Sequence, residues 1–233
     1  MHLCVMANIL CIETSGSVCS VALFQNSDTC IGHVKDDNSF QHAAVLTVLI
    51  DQLLVAHGLV PKDISAVALS AGPGSYTGLR IGTSVAKGFC YALNIPLIRI
   101  SSLKLLAQSV ALTNQISKGD MICPVIDARR MEVYTATYDS DLTQIDGEQP
   151  SIIDETSFST ILKKGMVFLV GSGGKKIVDI ISHQNLRYID DVDLSAQYMG
   201  KMAFNDWDQN TFVDLAYFEP NYLKAFHTTA KAS

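Results

Sequence analysis

A chain of 233 residues that is 48% hydrophobic and 17% charged has enough apolar material for a packed core, which excludes a disordered polymer. The length suits one large domain or two lobes. The formal net charge is −6, from 17 Lys and Arg against 23 Asp and Glu. A protein that grips nucleic acid by itself usually carries a basic excess, so any such contact is expected to run through a partner.

Six cysteines (Cys4, Cys11, Cys19, Cys30, Cys90 and Cys123) include no C-x-x-C pair, and most lie in apolar, strand-like runs. That usage fits reduced, buried thiols and a cytoplasmic setting. The opening Met1–Ile12 is apolar but lacks Lys and Arg, which makes it a poor signal peptide, and Met6 is an alternative start. No apolar run approaches the ~20 residues of a membrane span.

The elements follow in chain order. Ile9–Ile12 reads as a buried strand, Glu13–Ser17 as a turn, Val18–Phe24 as a second strand and Thr29–Val34 as a third. Leu46, Leu49, Ile50, Leu53, Leu54 and His57 recur at helical spacing; Gly58 stops that helix and Pro61 follows. Ile64–Leu69 is a strand, Ser75–Leu93 a helix and Ile95–Ile100 a strand; Ser101 or Ser102 caps a helix through Thr113. The polar stretch Asn114–Asp120 marks a boundary between an N-terminal lobe, 1–115, and a C-terminal lobe, 116–233.

The second lobe repeats the opening of the first: strand Met121–Ile126, acidic turn Asp127–Arg130, strand Glu132–Tyr138. The repetition suggests an internal duplication. Asp154–Lys164 reads as helix, Met166–Val170 as strand, and Gly171-Ser172-Gly173-Gly174 leads into a helix from Lys175. Leu194–Trp207 reads as helix and Phe218–Ser233 as a tail. Two lobes that each open on an acid-bearing hairpin, with a glycine turn between strand and helix, suggest an α/β, two-lobed actin-like ATPase (ribonuclease H-like) fold, each lobe a mixed sheet flanked by helices.

The densest motif is Gly72-Pro73-Gly74-Ser75-Tyr76-Thr77-Gly78-Leu79-Arg80-Ile81-Gly82. It lacks the Lys of a Walker-type phosphate loop. Gly78 and Gly82 stand one helical turn apart and leave a bare stripe, shaped for close packing against another backbone. Glu13 reads as a turn carboxylate held by local amides, and Asp127 as half of a structural ion pair with Arg129 or Arg130. His42 reads as a capping or surface residue, Trp207 and Tyr217-Phe218 as core or tail anchors, and Lys163-Lys164 and Lys175-Lys176 as solvated helix ends.

Four segments in order, namely Ile9–Ser15, Gly72–Gly82, Asp127–Tyr134 and Pro220-Asn221-Tyr222-Leu223-Lys224, are together similar to the TsaB (YeaZ) family. The resemblance implies the actin-like fold and a part in making threonylcarbamoyladenosine beside the tRNA anticodon. It implies a non-catalytic subunit that binds its paralogue TsaD, meets the ATPase TsaE in the complex, forms a homodimer alone, and reaches tRNA only through the assembly.

The catalytic paralogue holds its metal with H-x-x-x-H. Here the histidines are His2, His33, His42, His57, His183 and His227, none four apart, and position 46 is Leu46. The acidic pair after the paralogue's ETS motif is replaced by Gly16-Ser17. No catalytic or metal-binding residue is therefore expected, and ATP and a metal belong to the partners.

A vestigial nucleotide cleft would comprise Glu13, Thr14, Ser15, Asp127, Gly171, Gly173 and Gly174. A four-helix partner interface would use Leu46, Ile50, Gly74, Tyr76, Thr77, Gly78, Arg80, Ile81, Gly82 and Val85, although the pattern by itself fits internal packing equally well. The competing classes are an independent actin-like ATPase or small-molecule kinase, and a zinc peptidase.

Overall fold

The computed structural model describes residues 7–37 and 41–224. Met1–Val5, the alternative start at Met6 and the tail beyond Lys224 lie outside them. The first sheet contains β1 (Ile9–Glu13), β2 (Cys19–Phe24), β3 (Cys30–Asp36), β4 (Ala66–Ser70) and β5 (Leu97–Ile100), in the order β3-β2-β1-β4-β5. Between β3 and β4 runs α1 (His42–Ala56); between β4 and β5 runs α2 (Tyr76–Leu93); after β5 comes α3 (Ser102–Thr113).

The second sheet contains β6 (Met121–Asp127), β7 (Glu132–Asp139), β8 (Gln144–Ile152), β9 (Val167–Val170) and β10 (Leu186–Ile189), in the order β10-β9-β6-β7-β8. The helices in this part of the chain are α4 (Ser159–Leu162), α5 (Gly174–Val178) and α6 (Gly200–Asp208). Read from its β8 edge, this sheet repeats the first: three antiparallel strands, then two parallel ones. The duplicated opening of the two lobes is thus a duplicated topology. Glu13 ends β1 where Asp127 ends β6. Gly72 follows β4 where Gly171 follows β9, and both adopt positive φ, +100° and +105°, which suits residues without a Cβ.

The strands divide by position in the chain, but the helices do not. α3 packs on the second sheet and α6 on the first. One apolar core therefore joins both sheets through Leu103, Leu106, Val110, Met202 and Phe204. A second core lies between the outer face of the first sheet and α1 with α2, and a third between the second sheet and α4 with α5. The result is five layers. The outer layers are unequal: α1 and α2 have 15 and 18 residues, while α4 and α5 have 4 and 5.

Several sequence expectations need correction. Asp154–Lys164 is mostly not helical: Asp154 accepts from Thr156 and Ser157 in a tight turn, and Phe158 sits at φ +63°. Leu194–Trp207 is interrupted because Ser195 is extended and bonds His33, while the Ala196 amide donates to Ser20 on β2. Edge strands β8 and β10 escaped notice. The first carries Asp146, Gly147, Glu148 and Pro150, a composition that suits protected edges but hides a strand from propensity. Tyr217 is 84% exposed rather than an anchor; Phe218 is the buried one of the pair. The five described cysteines are free, and burial pushes the Cys19, Cys90 and Cys123 thiols up to about 12.

The glycine stripe of α2 faces inward. Gly78 and Gly82 are buried against Thr14, whose hydroxyl donates to the Gly78 carbonyl at 2.8 Å. The Ser75 amide donates to the Ser15 carbonyl at 2.8 Å, and a Cβ on Gly74 would meet that carbonyl. A Cβ on Gly78 would overlap the Thr14 carbonyl oxygen, which is backbone and has little room to yield. Gly78→Ala is therefore expected to destabilise the fold by about 3 kcal/mol, measured by urea unfolding, whereas Gly88→Ala, with open space around its Cβ in the interior of α2, should stabilise it by about 0.5–1 kcal/mol.

Candidate functional site

The crevice between the sheets contains a cleft of about 870 Å³. Its walls are the β1–β2 turn (Ser15, Gly16, Ser17), the start of α2, the β6–β7 turn (Asp127, Ala128, Arg129), Gly171-Ser172 and the tail at Asn221–Lys224. The duplicated topology directs both acid-bearing turns to this crevice. Of the residues expected there, Ser15, Asp127 and Gly171 line the cleft. Glu13, Thr14, Gly173 and Gly174 do not: the first two are fully buried, Thr14 against the glycines of α2, Gly173 packs on Val133, and Gly174 abuts the Tyr188 ring.

Glu13 accepts from the amide and the hydroxyl of Ser15, the latter at 2.6 Å. The Ser15 hydroxyl lies 2.9 Å from that of Ser102 and 3.2 Å from that of Ser70, and these two are 2.8 Å apart. Oε2 of Glu13 is buried and has no hydrogen-bond partner among the described residues. Burial raises the Glu13 carboxyl above its ordinary range, and the Ser15 and Ser70 hydrogen bonds only partly oppose this. Glu13 is thus a local turn acid, sealed away from the cleft.

Asp127 is differently engaged. Partial burial works to raise its carboxyl, but the Lys176 ammonium and the Arg129 amide together outweigh burial and hold it below the ordinary range. Lys176 Nζ donates to Asp127 Oδ1 at 2.7 Å, to the Arg130 carbonyl at 2.9 Å and to the Glu132 carbonyl at 2.6 Å. The expected ion pair exists, but its cation is Lys176, not Arg129 or Arg130, and Lys176 is not a solvated helix end. The two arginines adopt φ +70° and +51° to turn the hairpin whose carbonyls Lys176 collects. His42 is 5% exposed, and its Nε2 lies 3.3 Å from the Gly16 carbonyl, so it is neither a surface residue nor the cap, which is Gln41. Among the described residues, no group of three or more His, Cys, Asp and Glu is placed to hold a metal ion.

The expected partner-interface residues separate by burial. Leu46 and Ile50 lie in the core at 0% and 1% exposure, and Gly78 and Gly82 are covered by Thr14, so none of the four is accessible to a partner. Gly74 is half-buried against Ser15. Tyr76, Thr77 and Arg80 are exposed, and Ile81 and Val85 half-buried.

The outward surface instead consists of two parallel stripes. On α1 these are Ala44, Val48, Asp51 and Val55, with Val48 50% and Val55 69% exposed; on α2 they are Thr77, Ile81, Ser84, Gly88 and Ala92. Both helices cover the same face of the first sheet, so the stripes lie side by side. Asp51 is the only charged residue of α1. A water-facing helix usually carries many more. Val48, Val55 and Gly88 escaped the sequence reading because helical periodicity selected the core side; the lack of charge on the other side was the available signal.

Among the described residues no helix is long and apolar enough to cross a membrane. Residues 31–204 match the family described as TsaD, tRNA N6-adenosine threonylcarbamoyltransferase. The chain is 31% identical over 225 residues to the Escherichia coli tRNA threonylcarbamoyladenosine biosynthesis protein TsaB, spanning 93% of this chain and 94% of that protein. The Haemophilus influenzae TsaB protein is 29% identical over 225 residues, 93% of each. A Pseudomonas aeruginosa structure described as YeaZ superposes with a TM-score of 0.78 at 24% identity, covering 94% of this chain and 100% of that one, so the two share this two-lobed fold.

The Glu13 carboxyl keeps its proton to a higher pH folded than unfolded. Its contribution to stability is full below its ordinary value and is lost as pH rises through the raised folded value. Stability from urea unfolding is therefore expected to fall between pH 5 and pH 8 more steeply in the wild type than in Glu13→Gln; equal slopes would show that Glu13 ionises freely.

Proposed function

The chain belongs to the TsaB branch of the TsaD family, and we propose that it serves tRNA threonylcarbamoyladenosine biosynthesis as a non-catalytic subunit that docks on TsaD through the outer faces of α1 and α2. The observation that carries this reading is the outward side of these helices: two adjacent stripes of small and apolar residues with Asp51 as the one charge on α1. Such a surface is costly to leave in water and suits a helix-on-helix contact. The family match spans residues 31–204 and so includes both helices. A TsaD partner then offers an equivalent pair, and two equivalent pairs meet across a pseudo-twofold axis. Alone, the chain offers the same face to a second copy, as a homodimer. TsaE and tRNA meet the chain through the assembly.

The non-catalytic part of the reading rests on the acids. In actin-like enzymes the hairpin acids serve a metal-bound nucleotide. Here Glu13 is sealed in a serine cluster and Asp127 already holds Lys176, so these residues do not fit that group. We assign ATP and metal chemistry to the partners.

Gly88→Arg and Val48→Glu place charge and bulk on exposed positions, so both variants are expected to keep the wild-type melting temperature. They should weaken association with TsaD at least about tenfold, read by light scattering after gel filtration or by calorimetric titration. Unchanged affinity in both would reject the α1–α2 face. Magnesium-dependent ATP turnover by the purified chain, lost in Asp127→Asn, would favour an independent ATPase.

A further inference from the structure

The tail motif Pro220-Asn221-Tyr222-Leu223-Lys224 has no part in the docking face described above. Residues Val213–Lys224 form a strap with unequal ends. Toward the first sheet it is anchored by backbone and core contacts. The Val213 amide donates to the Leu97 carbonyl at 3.0 Å, Lys87 Nζ donates to the Ala216 and Phe218 carbonyls at 3.3 Å each, and Phe218 is buried beneath α2. The Asn221 amide donates to the Ala71 carbonyl at 2.7 Å.

Beyond Asn221 the hold changes character. Tyr222 stands against the Tyr76 ring with centroids 5.3 Å apart, at the first turn of α2. Lys224 crosses the cleft, where its ammonium bonds the Glu132 carboxylate and lies 5.9 Å from the Tyr134 ring centroid. This pair is partly solvated, with 31% and 25% of the two side chains exposed. The Asn221 side chain reaches Glu148 on β8 at 3.1 Å. Asn221 lines both the cleft and the neighbouring cavity of about 1050 Å³, so the strap separates the two spaces.

We propose that Asn221–Lys224 form a latch over the cleft, hinged at the buried Phe218 and caught on the second sheet by Lys224 against Glu132 and Tyr134 and by Asn221 against Glu148. The two sheets share one continuous core, so the strap, not the lobes, is the part that moves. The Lys224–Glu132 contact is the one ion pair by which the strap reaches the second sheet among the described residues. Releasing it frees Tyr222 from Tyr76 and joins the two cavities.

Hydrogen exchange with mass spectrometry on the full chain tests this without a partner. In Lys224→Ala, exchange of the Asn221 amide, which donates to the Ala71 carbonyl, and of the bonded amides in the 128–133 turn should rise about tenfold, the change expected for losing about 1.4 kcal/mol of latch stability. Exchange in β5 and around Phe218 should stay within about twofold of wild type. The charge swap, Lys224→Glu with Glu132→Lys, should restore slow exchange. Wild-type rates in Lys224→Ala, or a swap as fast as the single variant, would overturn the latch. If Lys224→Ala fails to fold, wild-type exchange at low and high salt decides: faster exchange of the Asn221 amide at high salt supports an ionic catch, and salt-independent exchange overturns it.

Discussion

The close approach of α2 to the β1–β2 turn is the contact on which the rest of the structure depends. Gly74, Gly78 and Gly82 remove the Cβ atoms that would separate the helix from Thr14 and Ser15. The gap closes with a hydroxyl-to-carbonyl bond and a backbone bond, both 2.8 Å. That contact buries Thr14 and helps to seal Glu13 among Ser15, Ser70 and Ser102. It also fixes which side of α2 faces out. The glycine-rich motif is, physically, a seat for a helix. Gly88, further along the same helix, is the exposed glycine of α2, with open space around it.

The duplicated topology sharpens the functional argument because the halves have diverged unequally. Both sheets present an acid at the end of their first strand and a positive-φ glycine after their fourth. Those shared positions build the crevice common to this fold. The outer layers carry the difference: long α1 and α2 on one side, single turns of helix on the other. This chain has one acid buried with a raised pKa and one neutralised by a lysine that also organises the neighbouring turn. What it offers instead is an outer surface of low charge.

Much of the fold was legible because local chemistry and tertiary structure agree. Ser101, one of the two serines that offered to cap α3, does so, and the apolar spacing of Leu46, Leu49, Ile50, Leu53 and Leu54 marks the buried side of α1. Misreadings arose where tertiary contacts override local preference. β8 is a strand because β7 offers it hydrogen bonds, despite Gly147 and Pro150. Ser195 and Ala196 leave helical geometry because His33 and Ser20 hold them. The site was less legible for a related reason. Periodicity locates the apolar side of a helix, so Leu46 and Ile50 were assigned to a partner when the sheet already covers them. Neither Lys176 with Asp127 nor Lys224 with Glu132 follows from spacing, since each pair joins residues far apart in the chain.

The most direct measurement is threonylcarbamoyl transfer to tRNA by TsaD reconstituted with this chain, comparing Asp127→Asn with Gly88→Arg at matched folding. A docking subunit predicts near wild-type turnover for Asp127→Asn and severe loss for Gly88→Arg, with activity recovered when the variant chain is raised to saturating concentration. Loss of turnover in Asp127→Asn with association intact, and normal turnover in Gly88→Arg, would contradict the account and place chemistry in the cleft.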